Sequence, residues 1–327
     1  MGENARKIGD KLEEFAGKYL LDNFGWKELT RDREIKCLKA THKNSKENQK
    51  RTHGIDLLCK YDDPYHGSQA VIIECKNYQM KSITSTNVKD WVQELINNVD
   101  CAQTASALED VGINDAQLIT GLLIIHTNDG EYDEAAINNI LNGLSVSNRK
   151  KPINIFIATN REIFMWTSLF RMVQEVYSYG ELLFVYPSIN NLNKVESKQL
   201  PINALYSRYL FAQYNYKEDY NQDGITGGKR ERKSSIMFSF DNVSADSFRY
   251  MWSMFKACQR QGQDYQKYIF YFYPKENTDM NMLTTKNFIN IIDQEGQPLE
   301  STDRDKIELK IIDNRTLSPV DTLRGEV

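Results

Sequence analysis

His53-Gly54-Ile55-Asp56-Leu57-Leu58-Cys59 and Val71-Ile72-Ile73-Glu74-Cys75-Lys76 are two apolar segments that each carry charge where charge is expensive. Eighteen positions separate Asp56 from Glu74, and between the segments lies Asp62-Asp63-Pro64-Tyr65-His66-Gly67-Ser68. That cluster of turn formers predicts a hairpin of two buried strands. Strand side chains alternate faces, so Glu74 and Lys76 emerge together while Cys75 points the other way. Burying a carboxylate and an ammonium among Ile and Val is costly unless they are paired or bind a metal. Two acids and a lysine at the rim of one sheet therefore predict a divalent-metal site, and hard oxygen ligands suit Mg2+, with Mn2+ as a substitute.

Glu-x-Lys alone is a weak signal, because Glu34-Ile35-Lys36 and Glu308-Leu309-Lys310 also fit it. For the second copy, Phe288 to Asp293 offers a rival first strand, with Asp293 in place of the first acid. Lys306 to Ile311 alternates strictly, however, as a half-exposed strand does with its charges in water. Glu34 has no acid-bearing strand before it. Only the copy at Glu74 has helices on both sides. Lys7 to Phe24 places Ile8, Leu12, Phe15, Tyr19 and Leu20 at helical spacing, with Gly25 as its stop. Asn87 to Leu108 shows a second stripe of Val88, Trp91, Val92, Leu95, Val99, Ala102 and Ala105.

Asp56 followed by Glu74-Cys75-Lys76, between these helices, resembles the PD-(D/E)XK nuclease superfamily. Gly9-Asp10-Lys11-Leu12-Glu13 is similar to the Gly-x-x-Phe-Glu opening of its Mrr-like restriction endonuclease branch, with Leu12 for Phe. The resemblance spans roughly residues 7 to 187 and implies an αβββαβ core. It further implies that Asp56, Glu74 and the main-chain carbonyl of Cys75 hold Mg2+ on the scissile phosphate. Glu13 would touch the ion through water, and Lys76 would orient or deprotonate the attacking water. Gln93 matches a polar residue many relatives carry early in the following helix, and Asn77 stands where it can contact substrate.

With 327 residues, the chain predicts two domains, each large enough for its own core. The boundaries expected are 1–190 for the nuclease domain and 191–327 for a second α/β domain serving assembly, sensing or target selection. The five cysteines, at 37, 59, 75, 101 and 258, are odd in number and lack paired spacing. Neither a zinc ribbon nor a disulfide framework fits them, so a reducing cytoplasm is the expected setting. Cys59 and Cys75 read as small core residues. No signal peptide is recognisable, and no apolar run reaches the about 18 residues of a membrane span.

The net charge of -4 hides a basic stretch: Lys36, Lys39, Lys43, Lys46, Lys50 and Arg51 against one acid, Glu47. From Thr41 to Arg51 it is polar enough to be a loop leading into the strand of Asp56. Lys43, Lys46, Lys50 and Arg51 are therefore candidate phosphate contacts, sequence-independent and salt-sensitive. Gly227 to Lys233 is a second basic cluster, either a phosphate contact or a linker.

Leu118 to His126 and Ile153 to Asn160 read as further strands, Tyr132 to Leu144 as a helix, and Leu182 to Pro187 as the domain's last strand. His126 reads as a satisfied strand-end histidine. Beyond Asn190, Pro201 to Asp219 suggests an aromatic-rich helix. Ser235 to Phe240 and Tyr268 to Tyr273 suggest strands, with Ala245 to Gln259 a helix between them. Tyr206, Tyr209, Tyr214, Tyr216 and Tyr220 offer either core packing or base stacking. No Gly-x-x-x-x-Gly-Lys-Ser loop is present, which argues against a nucleotide cofactor in this chain.

The expectation is a magnesium-dependent deoxyribonuclease. By resemblance, it acts in prokaryotic restriction or antiviral defence as a homodimer or with a companion protein. A catalytically idle nuclease fold that binds DNA ends or a partner, and a nuclease acting on RNA, are the alternatives.

Overall fold

The structure, a computed structural model, describes residues 11–43, 48–113, 116–145, 152–187, 195–222, 225–258, 260, 262, 264–275, 277–294 and 299–314. Helix α1 (11–24) passes through a π-helical stretch, Phe15–Leu20. It buries Leu12, Phe15, Ala16, Leu21 and Phe24. It stops where the sequence asks it to, because Gly25 adopts φ 71° and the Trp26 N–H donates back to the Leu21 carbonyl at 2.9 Å. Gly9 and Asp10, which open the Gly-x-x-Phe-Glu-like motif, lie outside the described residues, as does Ile8.

Strands β1 (Lys27–Lys36), β2 (Thr52–Asp63) and β3 (Gly67–Tyr78) form an antiparallel meander. The β2–β3 turn is built by Asp63, whose carboxylate accepts the N–H groups of Tyr65 (2.8 Å) and His66 (3.0 Å), and by Gly67 at φ 70°. Helix α2 (Ser85–Ala102) follows, its N-cap Thr84 accepting from the Asn87 N–H at 3.2 Å. It crosses to β4 (Gln117–Thr127), which pairs parallel with β3. Helix α3 (Glu134–Asn142) is capped by Asp133, and β5 (Asn154–Ala158) closes the sheet in the order β1-β2-β3-β4-β5. The apolar stripe of α2, Val88, Val92, Leu95 and Val99, packs in one core with Leu58, Ile72, Leu123 and Ile125. The order of elements is the expected αβββαβ.

Contacts divide the described residues into two units, with the break between Phe164 and Met165. The division falls inside helix α4 (Asn160–Val176), ahead of residue 190. The expected last strand of the first domain is the reason: β6 (Glu181–Tyr186) pairs with β7 (Val195–Ser197) and β8 (Tyr209–Gln222), in a second sheet. That mixed sheet has the order β11-β10-β9-β8-β6-β7, where β9 is Ile225–Ser239, β10 Tyr265–Phe272 and β11 Ile307–Ile311. Helices α5 (Ala245–Ala257) and α6 (Thr285–Asp293) pack Phe248, Phe255 and Phe288 into one core with Tyr268 and Phe270.

Two expectations for this unit need correction. The stretch 201–219 is not a helix beyond the single turn Ile202–Leu205; from Tyr209 it is a strand pairing with β9 as far as Gln222. Aromatics favour the pleated surface, and Leu210 and Ala212 alternate with Tyr209 and Phe211, a period of two that the helical spacing of 205, 206, 209 and 210 obscured. The basic cluster of Gly227 to Lys233 is no linker either, being part of β9. Lys229 stands opposite Asp219 and Arg230 opposite Glu218, and Arg232 bonds Glu218 at 2.8 Å. Tyr214 stacks on Tyr216 at 5.2 Å, and Tyr206 meets Trp166 edge-on.

Candidate active site on the hairpin

The β2–β3 ladder ends at the pair Leu57 and Ile73, one step before Asp56 and Glu74 would face each other. There the Cys75 N–H donates to Asp56 Oδ2 at 2.9 Å, so the acid's side chain occupies the place of a strand partner. β3 continues past this point against β4, with Glu74 opposite Leu123 and Lys76 opposite Ile125. Two carboxylates and an ammonium thus share one face at the place where β2 peels away.

Glu74 is 5% exposed. One of its oxygens, Oε1, accepts from Lys76 Nζ, and the other, Oε2, is buried with no hydrogen-bond partner among the described residues. Burial pushes the Glu74 carboxyl up to about 7; Lys76 opposes the shift and the Asp56 charge adds to it. Asp56 is raised as well, by burial first, against the Cys75 N–H and Lys76. Burial works against the charge of Lys76, yet Glu74 and Asp56 hold it above the ordinary lysine value. Two acids that burial pushes up together, with a buried oxygen left over, make a site short of positive charge. The donor set, carboxylate oxygens only, fits a hard divalent cation.

The remaining expected residues are placed as follows. The Cys75 thiol is pushed well above its ordinary value by burial, and Cys59 likewise, so both are inert core groups. Glu13 is half-buried on α1, and its charge reaches Cys75 and Arg31. Gln93 donates along its own helix to Asn97 at 3.1 Å. Asn77 Oδ1 lies 3.0 Å from His126 Nδ1; burial lowers His126 to about 4, so the imidazole is neutral. Lys43 and Arg51 are exposed, Lys50 is paired with Glu94, and Lys46 lies outside the described residues.

In the competing copy on β11, Glu308 bonds Lys267 and Lys310, and Asp293 ends helix α6 rather than a strand and is paired with Arg304. Glu34, on β1, is exposed and accepts from Thr52 Oγ1 at 2.8 Å.

Two acids near the hairpin were missed. Glu94, next to Gln93 on α2, adds its charge to Asp56, Glu74 and Lys76. Burial works against its own charge, but Lys50 holds it below the ordinary carboxylate value. Asp32 stands opposite Asp56, because β1 sets Arg31 against Leu57 and Arg33 against Ile55. Its φ of 49° is one Asp tolerates, and its charge also raises Asp56. The signal for Glu94 was an acid at the edge of an apolar helical stripe; for Asp32 there was none, since an exposed Asp in a charged strand reads as surface.

Residues 1–162 match the family model of the GAPS4 protein PD-(D/E)XK nuclease domain. No curated protein matches the chain. Among the described residues, no helix is long and apolar enough to cross a membrane.

Proposed function

Residues 1–162 carry a PD-(D/E)XK nuclease domain, and on that premise we propose that the protein is a Mg2+-dependent nuclease hydrolysing phosphodiester bonds in DNA. The observation that carries this reading is the buried Glu74 Oε2 beside Asp56, without a hydrogen-bond partner among the described residues. A divalent cation there would offset the cost of burying both charges, held by Asp56, Glu74 and the Cys75 carbonyl, with Glu13 reaching it through water. When bound, such an ion supplies charge to the scissile phosphate and acidifies water at neutral pH. Lys76, held protonated by its two acids, serves as a fixed positive charge that orients the phosphate and the attacking water. Lys43, Lys50 and Arg51, with Lys46, add backbone contacts that carry no sequence information. Asn77 contributes a polar contact beside the lysine.

The GAPS4 protein belongs to a defence system, and this supports placing the chain among antiviral effectors. The second unit then serves assembly, sensing or target selection, in a homodimer or with a companion protein. The test is purified protein with Mg2+ or Mn2+ on supercoiled, linear and single-stranded DNA and on structured RNA. Cleavage of at least one DNA form, lost on chelation, is expected. Cutting of RNA alone would move the substrate, and binding without cutting under both metals would make the fold an idle module.

A further inference from the structure

Four side chains from three elements and a loop meet in the buried core of the nuclease domain: Cys37 just after β1, His42 in the following loop, His53 on β2 and, distant in sequence, Cys101 near the end of α2. Their ligand atoms all lie within 4.8 Å of one another. His42 Nδ1 is 3.6 Å from Cys37 Sγ, 3.4 Å from Cys101 Sγ and 3.4 Å from His53 Nε2. One ring nitrogen can donate or accept a single hydrogen bond, so hydrogen bonding cannot account for three such neighbours at once. A common centre can. A tetrahedral ion about 2.3 Å from sulfur and about 2.0–2.1 Å from nitrogen separates nitrogen from nitrogen by about 3.4 Å and sulfur from nitrogen by about 3.6 Å. His42 Nδ1 stands at these separations from His53 Nε2 (3.4 Å) and Cys37 Sγ (3.6 Å), and slightly closer to Cys101 Sγ (3.4 Å).

The surroundings are those of a metal site. His42 Nε2, the nitrogen turned away from the cluster, is 3.5 Å from Asp100 Oδ2, a carboxylate placed on the side from which metal-binding imidazoles are commonly supported. The Leu38 N–H donates to Cys101 Sγ at 3.5 Å. The loop backbone is pinned around them: the Cys37 N–H donates to the Arg51 carbonyl (2.8 Å) and the Lys50 N–H to the His42 carbonyl (2.8 Å).

We infer that Cys37, His42, His53 and Cys101 bind a structural Zn2+ that closes the base of the basic loop and fastens it to β2 and α2. Two thiolates and two imidazoles select zinc over Mg2+, and four protein ligands leave no open position. The absence of any Cys-x-x-Cys spacing is why the sequence did not suggest it: Cys37 and Cys101 are brought together only by the packing of α2 on the sheet.

The test is elemental analysis of untagged full-length protein, purified without added metal, with wild type compared with Cys37→Ser, Cys101→Ser, His53→Gln and Asp56→Asn. About one zinc per chain is expected in wild type, retained in Asp56→Asn and lost in the other three. Because the ligand variants can fail to fold, wild-type protein expressed with Co2+ gives an independent readout. Thiolate-to-cobalt charge-transfer bands with the visible bands of tetrahedral Co2+ support the site. Wild-type protein with no zinc and no such bands overturns the inference, as does a Cys37–Cys101 disulfide in metal-free protein or full zinc content in folded Cys101→Ser.

Discussion

Glu74-Cys75-Lys76 on β3 and Glu308-Leu309-Lys310 on β11 carry the same acid-x-lysine pattern with opposite electrostatics. The Glu74 side chain is 7% exposed in the middle of a sheet, and its carboxyl is pushed up to about 7. The Glu308 side chain is 32% exposed on an edge strand, where Lys267 and Lys310 outweigh burial and hold it below the ordinary value. A surface ion pair of the second kind contributes ~0–1 kcal/mol and is complete without a ligand. The first kind leaves an acceptor unmet, which a bound cation would satisfy. The motif therefore acquires meaning from the strand that buries it and from the second acid, Asp56, that the hairpin sets beside it.

The largest effect that would break this contrast is on Asp56. Asp56→Ala is expected to take Mg2+-dependent cleavage down to background while circular dichroism stays that of wild type; measurable residual cutting at the wild-type rate would remove Asp56 from the site. Next in size, Lys76→Ala should lower the single-turnover cleavage rate by about a hundredfold, the scale of one lost fixed charge. It should still bind Mg2+ in a calorimetric titration, since both carboxylates remain. A Lys76→Ala protein that cuts normally would make the lysine a passive counterion.

Stability should separate the two strands as well. The Glu74 carboxyl titrates at about 7 in the folded chain and at about 4.3 when unfolded. Between these values the folded state keeps a proton that the unfolded state has released, so the stability this group contributes is full below about 4.3 and falls as pH rises to about 7. In metal-free protein, Glu74→Gln should accordingly gain a growing advantage in Tm over wild type from acid pH to neutrality, then hold it, and lose the Tm rise that Mg2+ gives wild type. Thermal melts of Glu308→Gln should show no such pH-dependent gain.

The smallest effect belongs to the loop. Lys43→Gln with Arg51→Gln should lower the slope of log K against log salt by about 0.9 per lost phosphate contact, measured by fluorescence anisotropy, with the cleavage pattern unchanged. An unchanged slope would assign DNA binding to other surfaces. Lys50→Gln is a sharper probe of the site itself, because it also frees Glu94, whose charge reaches the hairpin acids.

What could be read from the sequence was what depends on near neighbours. Asp56, Glu74 and Lys76 declared themselves because charge inside an apolar run is rare, and the turn at 62–68 joined them. The αβββαβ order was what the family resemblance implied, while local periodicity marked its helices and Gly25 the stop of the first. What depended on distant pairing was not legible. Glu94 becomes a neighbour of the site only through the seating of α2, Asp32 only through the β1–β2 register, and Cys37 meets Cys101 only in the folded core. β8 was misread because its aromatics fit both periods until β9 was there to pair with it.

The contrast between the two strands is tested most directly by plasmid cleavage in Mg2+ with three proteins prepared side by side: wild type, Glu74→Gln and Glu308→Gln. Wild type and Glu308→Gln should cut at equal rates, and Glu74→Gln should not cut although it is folded and still binds the plasmid. Cutting by Glu74→Gln at the wild-type rate, or loss of cutting in a folded Glu308→Gln, would contradict the assignment of the active site to the β2–β3 hairpin.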